Sequence, residues 1–171
     1  MEFGKLIKNR HSTRAYNKHP ISEEKLEKIL EAAISAPSAG NLQAYKIYII
    51  KDKVSKNKLA QAANEQKFIS EASVVLVFCQ DKLQSSKKYR ERGEELYSLQ
   101  DATIACAYAQ LAAANLGLGN VWVGAFNEEE VRKIINVPIS LRPIAVLPIG
   151  YPNEEPKIKP RRELKDLVLE K

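Results

Sequence analysis

The chain has 171 residues, of which 44% are apolar and 28% charged, which suits one folded domain and excludes the low-hydrophobicity signature of disorder. Lys and Arg total 27 against 21 Asp and Glu, a formal charge of +6 that favours anionic ligands. The two cysteines, Cys79 and Cys106, lie in apolar runs and read as reduced core thiols, which excludes a disulfide framework.

The opening segment, MEFGKLIKNRHSTR, has no long apolar core before a small-residue cleavage site, so the expected address is the cytoplasm. Phe3, Leu6 and Ile7 recur at helical spacing and predict a short amphipathic helix ending near Asn9. Ser22 is the expected N-cap of a second helix, with Glu23 and Glu24 at its positive end and Ile21 placed to staple onto Leu26. Leu26, Ile29, Leu30, Ala33 and Ile34 mark its buried face, and Pro37 stops it.

Lys46 to Ile50 and Ser73 to Cys79 are rich in β-branched and aromatic residues and predict strands, the second central and buried. A weaker helix is expected between them, over Ser55 to Ala63. The charged segment Lys87 to Glu95 leads into an Ala-rich helix from Leu99 to Leu116, which Gly117 ends as a left-handed cap. Asp101, Gln110 and Asn115 interrupt its apolar run, so it reads as a buried helix, not a membrane span. Val121 to Phe126 predicts a further strand, Asn127 caps a helix through Ile135, and Arg142 to Gly150 gives the last strand. The tail from Tyr151, rich in Pro and charge, is expected to run extended over a surface, so that residues 1–171 form one domain with 151–171 as its tail. The pattern alone supports an α/β or α+β sandwich.

No GxGxxG or GxxxxGK[ST] loop is present, and neither His11 nor His19 has partners at metal-ligand spacing, so no metal is expected. Three polar loops remain. RHSTR (Arg10 to Arg14) concentrates guanidinium, imidazole and hydroxyl donors suited to phosphate. APSAGNLQ (Ala36 to Gln43) supplies small residues that allow close backbone approach to a ligand. In VWVGAF, Gly124 interrupts a strand-like run, as occurs where a flat ligand meets the backbone. The competing readings are surface charges, a helix-to-strand turn and a structural bulge. The basic runs Lys51 to Lys58 and Pro156 to Lys165 read first as solvated faces.

Taken in order, RHSTR, APSAGNLQ, DATIACAYAQLAAANLGLG, GNVWVGAF, LPIGYP and KPRR resemble the FMN-dependent nitroreductase family from about Lys5 to Arg162. That resemblance implies a three-layer α-β-α sandwich of the α+β class, with a central mixed sheet of four or five strands, working as a homodimer. It implies FMN as cofactor and NADH or NADPH as donor. The expected reaction passes hydride through flavin N5 to nitroaromatic, quinone or similar small-molecule acceptors in a ping-pong cycle, with no catalytic side chain required.

The resemblance assigns Arg10, His11, Ser12 and Arg14 to the FMN phosphate and the pyrimidine edge. Lys159 and Arg161 complete the phosphate site from the tail, with Arg162 as the alternative to Arg161. Pro37, Ser38 and Ala39, with Asn41 and Gln43, are expected to come from the partner subunit. Asn64 is carried over to the flavin edge, and Val123, Gly124 and Ala125 to backbone contacts near N5; some relatives have an acidic residue at the Gly124 position. The chain shows no long insertion that would act as a substrate lid, so an open site is expected. Two other functions compete: an FMN store or sensor with little turnover, and a basic nucleic-acid-binding domain. The latter lacks the interleaved aromatic pattern of an RNA-binding sheet, so neither nucleic acid nor membrane is an expected partner.

Overall fold

The computed structural model describes residues 2–156 and 159–171. Helix α1 (Phe3–Asn9) ends where expected and buries Leu6. In α2 (Glu23–Ile34), the Ser22 side chain accepts the Lys25 amide at 3.3 Å, and Leu26, Ile29 and Ala33 turn inward. Strand β1 (Tyr45–Ile50) is followed by α3 (Lys53–Ala62), which starts two residues earlier than expected because Asp52 caps it, accepting the Ser55 amide at 2.8 Å. A single turn, α4 (Phe68–Glu71), leads into the buried strand β2 (Val74–Asp81).

The charged segment, to which the sequence reading gives no element, is helical. It belongs to α5 (Lys82–Arg92), which Asp81 caps, and a π-helical turn over Gly93–Tyr97 joins it to α6 (Ser98–Asn115). Gly117 stands at φ 76°, the left-handed cap that its position after α6 predicts. The predicted strand over Val121 to Phe126 does not form as such. Pairing is confined to β3 (Gly119–Asn120) and to one bridge between Val123 and Val146. Val121 and Val123 are buried, so the apolar residues that suggest a strand pack into the core from backbone that is largely unpaired. Asn127 caps α7 (Glu128–Ile134), accepting the Glu130 amide at 3.1 Å, and β4 (Leu141–Gly150) closes the sheet.

The four strands lie in the order β1-β2-β4-β3, with antiparallel ladders throughout; the parallel element is a bridge between Ser12 and Asn120. A bulge between Phe78 and Cys79 leaves Ile144 without a partner residue on β2. Alternation along the strands separates two cores. Val74, Leu76, Phe78, Ala145, Leu147 and Ile149 face α2 and α6 on one side. Val75, Val77, Cys79 and Val146 face α3, α4 and α7 on the other, which makes the three-layer sandwich.

The sheet also anchors the segment after α1. The Thr13 amide donates to the Asn120 carbonyl at 3.0 Å. Asn120 is held in turn by α6: its amide donates to the Gln110 carbonyl at 3.0 Å and accepts from the Gln110 side chain at 3.1 Å. Buried Tyr16 donates toward the Thr13 carbonyl at 2.8 Å and the Pro148 carbonyl at 3.3 Å, and burial pushes its phenol well above the usual range. Tyr16→Phe removes both donations and should cost about 1–2 kcal/mol in urea denaturation, with the helix content of the native state unchanged.

Candidate functional site

Three of the sequence-predicted groups gather along one edge of the sheet. Arg10, His11, Ser12 and Arg14 line a groove of about 870 Å³ together with Lys8, Glu154, Lys159 and Arg161. The loop is positioned by the Thr13–Asn120 hydrogen bond and by a strap from the tail. In that strap the Asn17 amide donates to the Tyr151 carbonyl at 3.0 Å, the Asn153 amide donates to the Ala15 carbonyl at 2.9 Å, and Tyr16 bridges Pro152. Gly119 is required by close approach: a Cβ there would come within 2.7 Å of the buried Thr13 side chain.

His11 Nδ1 donates to the Asn9 carbonyl at 3.1 Å, and Nε2 lies 3.4 Å from the Thr13 hydroxyl, which can donate or accept. The Arg10 guanidinium is held below its ordinary pKa, first by burial and then by the nearby positive charge of Arg161. Among the described residues no carboxylate forms an ion pair with Arg10, Arg14, Lys159 or Arg161. Two guanidinium groups brought together without an acidic partner favour an anion between them, and a phosphate dianion satisfies them with paired, charge-assisted hydrogen bonds. Arg162 is used differently, donating to the Asp166 carbonyl at 3.1 Å, so Arg161 is the arginine that joins the groove. Lys157, in the same basic run, lies outside the described residues.

Asn64, Val123, Gly124 and Ala125 form the second group. The Asn64 side chain donates to the Ala125 carbonyl at 3.3 Å, and Gln66, which sequence reasoning did not single out, donates to the same oxygen at 3.4 Å. Asn64 and Glu65 both stand in left-handed backbone, at φ 56° and 57°, a costly corner for residues with side chains. Val123 points into the core, whereas Gly124 and Ala125 are exposed. A Cβ on Gly124 would meet only the Trp122 side chain, at 3.3 Å. The segment follows directly from β3, so it continues the edge to which RHSTR is bonded.

Pro37, Ser38 and Ala39 are elsewhere. They line a separate cavity of about 670 Å³ with Tyr97, Asp101 and Ile104, before β1 at the opposite edge of the sheet. Asp101, only 2% exposed, organises this loop by accepting the Ala39 amide at 2.9 Å and the Ala44 amide at 3.2 Å. Its role was missed in the sequence, although a lone carboxylate within an Ala-rich helix is the signal. Asn41 is exposed at φ 59° and held by Gln43, whose side chain donates to the Asn41 carbonyl at 3.0 Å. Asp101 lies near the start of α6, whereas Ala114, near its end, lines a pocket with Arg10 and His11. At ~1.5 Å per residue, the stretch of helix between Asp101 and Ala114 keeps the two loops roughly 20 Å apart within one chain.

The other basic run, Lys51 to Lys58, is mostly exposed as expected, but Lys56 is buried and donates to the Ala72 carbonyl at 2.7 Å. No helix among the described residues is long and apolar enough to cross a membrane.

The three-layer sandwich agrees with what known proteins show. The Nitroreductase family model matches residues 7–81 and 62–151. An FMN reductase [NAD(P)H] of Bacillus subtilis is 35% identical over 170 residues, covering 92% of this chain and 68% of its own. An NADH dehydrogenase of Thermus thermophilus is 32% identical over 187 residues, covering 94% and 91%. The solved structure of the NADPH:FMN oxidoreductase from Vibrio harveyi, complexed with NAD+, superposes with a TM-score of 0.89 at 27% identity, covering 97% of this chain and 75% of that one. The chain belongs to the nitroreductase family and is an oxidoreductase of that family.

Two substitutions test the supports of the site. Asp101→Ala leaves the buried Ala44 amide and the half-buried Ala39 amide without this acceptor and should cost about 2–4 kcal/mol in denaturant unfolding, whereas Asp101→Asn recovers part of that loss. Gly119→Ala should cost about 1–3 kcal/mol by forcing Thr13 outward, and should raise amide exchange across residues 10–14.

Proposed function

We propose that this chain is an FMN-dependent NAD(P)H oxidoreductase of the cytoplasm that acts as a homodimer, with nitroaromatic, quinone or similar small molecules as acceptors. The observation that carries the reading is the groove in which Arg10, His11, Ser12 and Arg14 from one end of the chain meet Lys159 and Arg161 from the other. When bound, FMN would supply the redox chemistry, carrying hydride from NADH or NADPH to the acceptor in a ping-pong cycle.

The chain's own residues bind and orient the cofactor. Arg10, Ser12, Lys159 and Arg161 hold the phosphate. Arg14 and His11 lie toward the pyrimidine edge, where positive charge offsets the negative charge gained on reduction. Asn64 would face the ring edge, and Gly124 and Ala125 would offer backbone to the flavin, with Val123 fixed in the core behind them. Pro37, Ser38, Ala39 and Asn41 of the partner subunit complete the site. Separation of the two loops by most of the length of α6 supports this last assignment, since one chain alone does not bring both to a single ring. The surface of α6 also supports a dimer: Tyr108 is 40% exposed, Ala107 is exposed beside it, and Leu111 and Ala112 border an apolar cavity with Phe3. The buried thiols of Cys79 and Cys106 fit a reducing cytoplasm.

The protein purified without added cofactor should carry FMN, visible in its absorption spectrum, and should bleach within seconds when NADH or NADPH is added without oxygen. Full occupancy with slow bleaching by both donors would instead indicate a flavin store or sensor. A colourless protein that FMN does not reconstitute would defeat the reading. Replacing Arg10 and Arg161 together with Ala should weaken FMN binding about a hundredfold or more, the loss expected for two charge-assisted contacts. Tyr108→Asp should shift the protein to monomers in light scattering and release the flavin with the dimer.

A further inference from the structure

The groove contains a carboxylate that the phosphate reading does not use. Glu154 is half-buried among Lys8, Arg10, Arg14, Lys159 and Arg161, yet its carboxylate pairs with none of these side chains among the described residues. Its Oε1 instead accepts the backbone amide of Arg14. The register explains why. Residues 14–17 and 151–154 run antiparallel, with Tyr16 opposite Pro152, Asn17 bonded to Tyr151 and Asn153 bonded to Ala15. Arg14 is the next position in this strap. There the side chain of Glu154 takes the place of a backbone acceptor and adds a further tie between the N-terminal loop and the tail that also supplies Lys159 and Arg161 to the groove.

We infer that Glu154 is a positioning residue for the cofactor phosphate: its carboxylate clasps the Arg14 backbone and thereby holds the N-terminal loop and the cationic tail in one groove. The inference rests on the proposed FMN site. The same negative charge lies among five cations whose mutual repulsion, registered at Arg10 through Arg161, opposes their assembly. Because the carboxylate is spent on a main-chain amide, it forms no ion pair with the guanidinium groups of the groove among the described residues.

This arrangement acts on the phosphate end of the cofactor and not on its ring, so the informative readout is the ratio of FMN to riboflavin affinity. Riboflavin shares the ring and ribityl chain but lacks the phosphate. Glu154→Ala should weaken FMN binding about tenfold, the size of one charge-assisted hydrogen bond, while leaving riboflavin affinity and thermal unfolding of the apoprotein nearly unchanged. Glu154→Gln keeps an oxygen acceptor for the Arg14 amide and should bind FMN within about threefold of the parent. An unchanged FMN-to-riboflavin ratio in Glu154→Ala would overturn the inference. So would tighter FMN binding in both variants, because Glu154 would then be a competitor for the cations and not a clasp. Failure of the parent protein to bind FMN at all would overturn the proposed function itself, and this inference with it.

Discussion

The hydrogen bond from the Thr13 amide to the Asn120 carbonyl joins the N-terminal loop to the edge of the sheet, and most of the site follows from it. Thr13 is fully buried, so its backbone requires an internal partner. Asn120 supplies it while its own side chain is locked to Gln110 on α6. Tyr16 then pins the same loop to β4 through the Thr13 and Pro148 carbonyls. With Thr13 turned inward and held on both sides, Arg10, His11, Ser12 and Arg14 are displayed along one groove. The tail strap adds Lys159 and Arg161 from the far end of the chain. A cationic groove of this kind is electrostatically unfavourable when assembled alone and becomes favourable when a phosphate enters it.

The sheet order imposes a second constraint. β3 and β1 occupy opposite edges, and α6 spans the distance between the two loops that the family resemblance assigns to one flavin. Asp101 holds the APSAGN loop at one end of this helix, and the phosphate loop approaches the other. The proposed composite site between two copies would account for both the exposed apolar face of α6 and the separation of the loops. The kinked α5 and the π-helical turn lie beside the APSAGN loop: Gly40 stands close to Lys88 and Tyr89, and Tyr97 lines the same cavity as Ser38. The charged segment therefore packs beside this loop.

Much of this was legible in the sequence because local signals coincide with the structure. Ser22 and Asn127 cap helices, Gly117 ends α6, and SVVLVFC is the buried centre of the sheet. The strand misread at Val121 to Phe126 and the segment left unassigned at Lys87 to Glu95 both depend on distant partners. VWVGAF has the composition of a strand, but its pairing ends after Asn120 because β4 offers it only Val146 beyond that point. Lys87 to Glu95 is too charged to announce a helix, and its fold depends on Gly93, where a Cβ would come within 2.5 Å of the Ser85 carbonyl. The candidate site was legible as motifs: RHSTR and the tail cations share a groove, while the APSAGN loop lies apart from them. Glu154, Asp101 and Gln66 were not legible, since each acts through a backbone group of a segment far away in sequence.

The central claim, that the phosphate groove of one chain and the APSAGN loop of another form a single flavin site, is tested most directly by complementation. Two variants that each lose FMN would be prepared: one with Arg10 and Arg161 replaced by Ala, the other with exposed Pro37 replaced by Trp. They would be unfolded and refolded together with FMN. A composite site predicts that mixed dimers recover one FMN per two chains, because one interface combines an intact groove with an intact loop. If both features belonged to a site within a single chain, mixing would recover no flavin, and the account would be contradicted.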